Sequence, residues 1–369
     1  MTCLILLLSA ALGAQASQPI SLPKLDPPTK DAPALTDAEM ATLRAGVALY
    51  GQKKYDDAIA KYQEIVAANP DAVAAIYEIA LTYAAKGDRA KAIDVVLPTL
   101  RYRFPDLDRS YALVGSMLDE LNLPNDAVTV YEAGLAALPK SGTLYYNKAL
   151  TELQSLKSPA AALVTLKRGA FGAPSHAGTQ FLLGRLFLAD DLRSPALLAL
   201  SRNLILEQGT ARSVDVYKVW YGLLQQNVSK NANGQLELHV NPTKSTAEGQ
   251  LAQLDMQIAL SQTATGKPDQ TVGERLVAQW DGLLSVWSKY TPGDDADKIL
   301  WAYYMPYFMA LREQHLVEPF VYYVSQHVNA PGIREWIASH QDSLRAFVAW
   351  DKAYVWPAPR PSGGDLQRR

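Results

Sequence analysis

Cysteine is almost missing from this chain of 369 residues, and the single one, Cys3, lies at the extreme N-terminus. Disulfides, a cysteine nucleophile and thiolate metal sites are therefore out of reach of the folded body, which must rest on its hydrophobic core. Net charge is scarce as well. Lys and Arg number 35 against 37 Asp and Glu, a balance of −2, so no field draws the chain to nucleic acid or to an acidic membrane surface. Long apolar runs are lacking. The longest, within residues 1–16, holds roughly 13 apolar or small residues where a spanning helix needs about 20. Histidine is sparse: His176, His239, His315, His327 and His340 show neither the i, i+4 spacing nor the HExxH pattern of a zinc site. A G-x-S-x-G elbow, a phosphate-binding glycine loop and a Ser/His/Asp set at a known spacing are likewise absent. No catalytic residue, cofactor or metal is expected.

What is present begins with MTCLILLLSAALGAQA, uncharged throughout and closing on Ala14-Gln15-Ala16, the A-x-A pattern of a signal-peptidase site. The expectation is an exported protein, periplasmic or secreted, whose mature chain has no integral membrane segment. Residues 17–36 carry Pro19, Pro23, Pro27, Pro28 and Pro33 and read as an extended, loosely held linker.

From 37 to 209 the chain repeats itself. Ala58, Tyr62 and Pro70 are echoed by Ala92, Val96 and Pro105, then by Ala127, Tyr131 and Pro139, a step of 34 or 35 residues. That is the length of one helix-turn-helix unit. Small residues recur on each first helix (Gly46, Ala80, Gly115, Ala149, Gly184) and on each second (Ala58, Ala92, Ala127, Ala161, Ala196), which lets the two approach closely. Pro70, Pro105, Pro139 and Pro174 close the first four second helices. The fourth unit departs from the pattern at Glu152 and Thr165, and the fifth ends at Gln208-Gly209 without a proline.

The segment from 210 to 356 is different. It holds all seven tryptophans, 220, 280, 287, 301, 336, 350 and 356. Helices are expected at about 214–226, 246–262, 271–290, 296–313, 318–328 and 332–354, with a kink at Pro306. The alternating run Leu236–Val240 reads as one arm of a short β-hairpin. Residues 357–369 read as a disordered tail. The fold class is all-α: a solenoid of about five repeats followed by an aromatic-rich helical domain.

The repeat unit resembles the tetratricopeptide repeat (TPR), and the resemblance covers residues 37–209. It implies that the first helices line a concave groove that binds a protein or peptide. Carried over position by position, the groove candidates are Leu43, Val47, Tyr50, Tyr77, Arg109, Ser116, Tyr146, Asn147, Phe181 and Arg185. Family members that clamp a C-terminal carboxylate place Lys and Asn where this chain has Leu43, Val47, Tyr77 and Leu81. An amphipathic helix or an extended peptide suits such a groove better. Either the groove stands open or the second half fills it.

The densest aromatic group is Trp301, Tyr303, Tyr304, Tyr307, Phe308, Phe320, Tyr322 and Tyr323. It reads either as packed core or as a platform for sugar rings. Asp294, Asp295 and Asp297 precede a helix and cap it. The function expected is a scaffold or assembly adaptor of the cell envelope. The alternative is an envelope glycan-binding protein or enzyme that uses the aromatic second half.

Overall fold

The computed structural model describes residues 22–225, 228–230, 236–238, 249–262, 269–290, 299–327, 330 and 332–358. The segment expected to be a signal peptide, His239, Asp294, Asp295 and Asp297, expected to cap a helix, and the tail beyond residue 358 lie outside them. Ten helices pair in sequence order. They are α1 (Asp37–Gly51), α2 (Tyr55–Ala68), α3 (Val73–Ala85), α4 (Arg89–Val96) and α5 (Leu107–Glu120). They continue as α6 (Pro124–Ala137), α7 (Gly142–Gln154), α8 (Pro159–Gly172), α9 (Ala177–Ala189) and α10 (Arg193–Leu206). Helix α4 is shortened, because Pro98 turns its last residues into a 3₁₀ turn, Leu97–Arg101. Each pair reverses through one left-handed residue: Lys53, Gly87, Asn122, Lys157 and Asp191, all with φ between 52° and 87°. The turn thus repeats at the same step as the helices, although only one of the five is glycine.

The small residues do what their spacing implies, in matched pairs. A Cβ on Gly46 would stand 2.3 Å from the Tyr62 ring, one on Gly115 2.4 Å from Tyr131, and one on Gly184 2.5 Å from Leu200. Where the second helix offers the smaller Val96 or Thr165, the first carries Ala80 or Ala149. Bulk is kept constant across the contact while its side changes. The fourth repeat goes further. Thr165 leaves room for Lys148, whose ammonium donates to Glu152 Oε1 and Thr165 Oγ1 at 2.6 Å each and lies 3.1 Å from Glu132. Its two departures from the repeat pattern are one buried polar cluster.

The proline-rich lead-in is docked rather than loose where it is described. Leu22 and Leu25 pack beside the core of the second and third repeats. Strand β1 (Lys30–Asp31) pairs in parallel with β2 (Tyr102–Arg103), and the amides of Thr29 and Ala32 donate to the carbonyls of Arg101 and Arg103 at 3.0 and 3.1 Å. Arg103 closes on Asp31 at 2.7 Å, and Lys30 bonds Asp71. Extended residues following a run of prolines find a row of backbone partners between repeats, and pairing wins over solvation.

The second half contains α11 (Ala211–Gln225), the hairpin strands β3 (Val228–Lys230) and β4 (Leu236–Leu238), α12 (Gly249–Ser261) and α13 (Val272–Trp287). After them come a π-helical turn (Leu300–Tyr304), α14 (Met305–Glu313), α15 (Val317–Val324), α16 (Ile333–Ser339) and α17 (Gln341–Ala353). The hairpin is antiparallel, with Val228 opposite Leu238. Pro306 sits in the first turn of α14 directly after the π turn, where its missing N–H is tolerated. The single helix expected over 332–354 is two, because His340 leaves helical geometry between them.

Helix α10 joins the halves. Every residue from Ser194 to Ile205 is buried, the mark of a helix enclosed on all sides. Its three consecutive polar residues each tie a different neighbour. Ser201 Oγ accepts from the Trp220 indole of α11 at 2.8 Å, and Asn203 donates to the Ala177 carbonyl of α9 at 3.0 Å. Between them Arg202, 1% exposed, bonds Asp351 of α17 and lies 4.5 Å from the Tyr307 ring centroid and 4.7 Å from that of Trp356. One core therefore runs from Ala149 in the fourth repeat to Phe347 in α17.

Candidate functional site

The first helices α1, α3, α5, α7 and α9 carry the groove candidates. Tyr50, Tyr77, Tyr146, Asn147 and Phe181 are half-buried, while Val47, Arg109 and Arg185 are exposed. The structure gathers them into three clusters. At the N-terminal end Tyr50 leans on Tyr55, ring centroids 5.6 Å apart. In the middle the Arg109 guanidinium lies 5.1 Å from the Tyr77 ring centroid, a cation–π contact that keeps a charge at the surface over an apolar face. Beside it, burial raises the Glu78 carboxyl above the usual carboxylate range, and Arg109 offsets part of that rise. At the C-terminal end Tyr146 packs edge-on against His176 at 5.7 Å, and Phe181 lies beneath both Arg185 and Arg212, at 5.8 and 5.3 Å. Ser116 belongs with the interior: its hydroxyl is 3.2 Å from that of Tyr131.

Arg212 was not among the sequence candidates, nor were Asp215 and Val219. They stand on α11, which starts 34 residues after α9, at the step of the repeat. Helix α11 thus takes the place of a sixth first helix, with Arg212, Asp215 and Val219 in groove register with Gly178, Phe181 and Arg185. That step, from Ala177 to Ala211, is legible in the sequence once the missing second helix is set aside. It packs on α10 as each earlier first helix packs on the second helix before it. Against α9, however, it opens. A cleft of about 630 Å³ lies between them, walled by Phe181, Leu188, Leu200, Val216 and Val219 and edged by Arg185, Arg212 and Asp215. A second cavity of about 450 Å³ shares Leu188 and Val219 with it.

Beyond α11, no described residue of the second half is seen to cover this face. Its helices pack on α10 and α11. Gln180, on the buried side of α9, donates to the Tyr303 hydroxyl at 3.1 Å and accepts from that of Tyr304 at 2.7 Å. Among the described residues, no hydrogen bond, ion pair or ring contact links Tyr50, Tyr77, Arg109, Asn147 or Arg185 to anything after Gln225.

The aromatic group of the second half is core. Tyr303, Tyr304, Tyr307, Phe308 and Phe320 are fully buried and Tyr322 nearly so, with only Trp301 and Tyr323 partly exposed. Burial holds the phenols of Tyr304 and Tyr307 well above their ordinary pKa. Trp280 stacks between Trp220 and Phe308 at 6.0 and 5.7 Å. The platform reading has no surface to stand on.

Two of the described histidines, His176 and His340, make structural contacts. His176 caps α9 by accepting from the Thr179 amide at 3.2 Å; burial, with Arg212 nearby, lowers its pKa. His340 stacks on Trp336 at 4.3 Å, and burial lowers the pKa of His327. No group of three His, Cys, Asp or Glu among the described residues is placed to hold a metal ion. No described helix is long and apolar enough to cross a membrane.

Residues 43–98 match the family model of the tetratricopeptide repeat. No curated protein matches the chain. Among solved structures, a thermophilic TPR protein of Thermus thermophilus is 18% identical, over 50% of this chain and 97% of its own, with a TM-score of 0.37. The MamA RS-1 ArsTM double mutant is 19% identical, over 49% of this chain and 99% of its own, also at 0.37. With five helix pairs turning at one fixed step and the family model seated on the first two of them, the N-terminal half of this chain is a tetratricopeptide-repeat solenoid.

Proposed function

We propose that this protein is an exported interaction scaffold of the cell envelope, holding a helix or extended peptide of a partner protein in its concave groove. One observation carries the reading. A row of half-buried aromatics and exposed arginines runs along the first helices, and after α11 no described residue is seen to cover it. Such surfaces bind by aromatic and arginine anchors, which dominate interface energetics. The second half supports the reading in another way, since it covers α10 and leaves the groove to others.

The test is affinity capture from envelope extract with Ser17–Arg369 as bait, wild type against a Tyr77→Ala/Arg109→Ala variant. A partner held by wild type and lost at least tenfold in the variant is expected, because truncating a hot-spot residue costs on the order of 2 kcal/mol. A partner held equally by both refutes the groove as the site. N-terminal sequencing of the protein from the envelope fraction tests export, with Ser17 as the expected first residue.

A further inference from the structure

The cleft between α9 and α11 differs from the rest of the groove in width and in charge. Helix α7 lies close against both α5 and α9, whereas α9 and α11 approach less closely and meet through Phe181 and Arg212, and the two cavities sharing Leu188 and Val219 form one trough. Neither cavity is enclosed, so a chain can lie along both rather than end in one. The walls of the larger cavity are mostly apolar, with Val219 44% exposed, and the smaller one adds Asp191, Arg193 and Lys218.

The charges on its rim do not balance. Arg185, Arg212, Arg193 and Lys218 face only Asp215 and Asp191 within the lining. Lys218 is held by Asp215 at 2.9 Å, Arg193 by Asp191 at 3.4 Å, and Arg212 by Glu207, just outside the cleft, at 2.6 Å. Arg185 alone has no carboxylate among the described residues. It lies exposed above the Phe181 ring, 5.8 Å from its centroid. A cation at the edge of an apolar trough selects a ligand that presents a carboxylate beside bulk.

We propose that this trough seats an internal segment of a partner protein in which bulky apolar side chains stand next to an Asp or Glu. The apolar side chains lie between Phe181 and Val219, and the carboxylate pairs with Arg185. The proposal rests on the reading of the concave face as a peptide site and adds the chemistry of what enters its C-terminal end.

The test uses two blocked hexapeptides, acetylated and amidated so that neither carries a terminal charge: GDLFDG and its neutral counterpart GNLFNG. Binding is followed by fluorescence anisotropy at low salt. Wild type is expected to prefer the acidic peptide by about five- to tenfold, and the preference shrinks as salt screens the pair. Arg185→Gln is expected to bind both alike at the level of the neutral peptide. Val219→Asn, at an exposed position where folding is not at stake, is expected to weaken both by a similar factor. Equal affinity of wild type for the two peptides, no binding of either at millimolar concentration, or a preference that survives Arg185→Gln overturns the proposal. The capture experiment separates its failure from that of the groove. A partner lost by Tyr77→Ala/Arg109→Ala yet kept by both Arg185→Gln and Val219→Asn leaves the groove standing and removes the trough.

Discussion

Replacing Asp351 by Asn removes the charge that Arg202 is buried against. The guanidinium is 1% exposed, bonds Asp351 through Nη1 and lies against the rings of Tyr307 and Trp356, while its Nε has no partner. Tyr307 also donates to Asp351 Oδ1, at 2.7 Å. Both bonds end on Oδ1, so an amide oxygen can still accept them but cannot neutralise the cation, and leaving one member of a buried pair costs about 3–5 kcal/mol. With a urea slope of about 3 kcal/mol per M, that is a midpoint lowered by roughly 1–2 M. Tryptophan fluorescence is the right probe, because all seven indoles lie after residue 209. The double variant Arg202→Met/Asp351→Leu strands no charge, and most of the loss is expected to return. A midpoint shift below about 0.3 M for Asp351→Asn, or a double variant weaker than the single one, would refute this account of the junction.

Two further outcomes follow from the repeats. Gly115→Ala places a methyl 2.4 Å from the Tyr131 ring and is expected to cost about 1–3 kcal/mol in thermal unfolding. Adding Tyr131→Val recreates the Ala80–Val96 pairing of the second repeat, so the two changes together should cost less than their sum; strict additivity would count against the matched-pair explanation. The second outcome concerns pH. His176 accepts the Thr179 amide through Nδ1, which only the neutral ring can do, and its pKa is lowered by burial and then by Arg212. A depressed folded-state pKa means its contribution is complete above the unfolded value of about 6.5 and is lost as pH falls through the folded one. An imidazole titration by NMR should place His176 below about 6.5, and His176→Asn, which caps without titrating, should flatten that part of the stability profile.

The helix pairs were legible because their contacts are local. Gly46 meets Tyr62 and Gly115 meets Tyr131 within one repeat, so the period carries them into the sequence. The groove candidates were carried over from the repeat resemblance, whereas the contact of Arg109 with the Tyr77 ring is seen only in the structure. Helix α11 was harder to place. Its counterpart of the small residue is Lys218, and among the described residues strand β3 follows it, so the repeat signal fades although the helix keeps step. Arg202 could not be read at all, because an arginine inside a helix looks solvated and its partner Asp351 is 149 residues away. The docking of Lys30–Asp31 was hidden for a similar reason: the strand it joins, Tyr102–Arg103, is two residues long and lies between helices.

The long reach of that arginine sets an order in time. Arg202 is synthesised 149 residues before Asp351, and at about 5–20 residues per second the delay is roughly 7–30 s. Over that interval the Arg202 cation lacks its carboxylate, so the junction of α10 with the second half is completed after the repeats themselves. The last described helix, α17, supplies the final partner. A junction built this way stays unfinished until α17 is made, long after the repeats it completes.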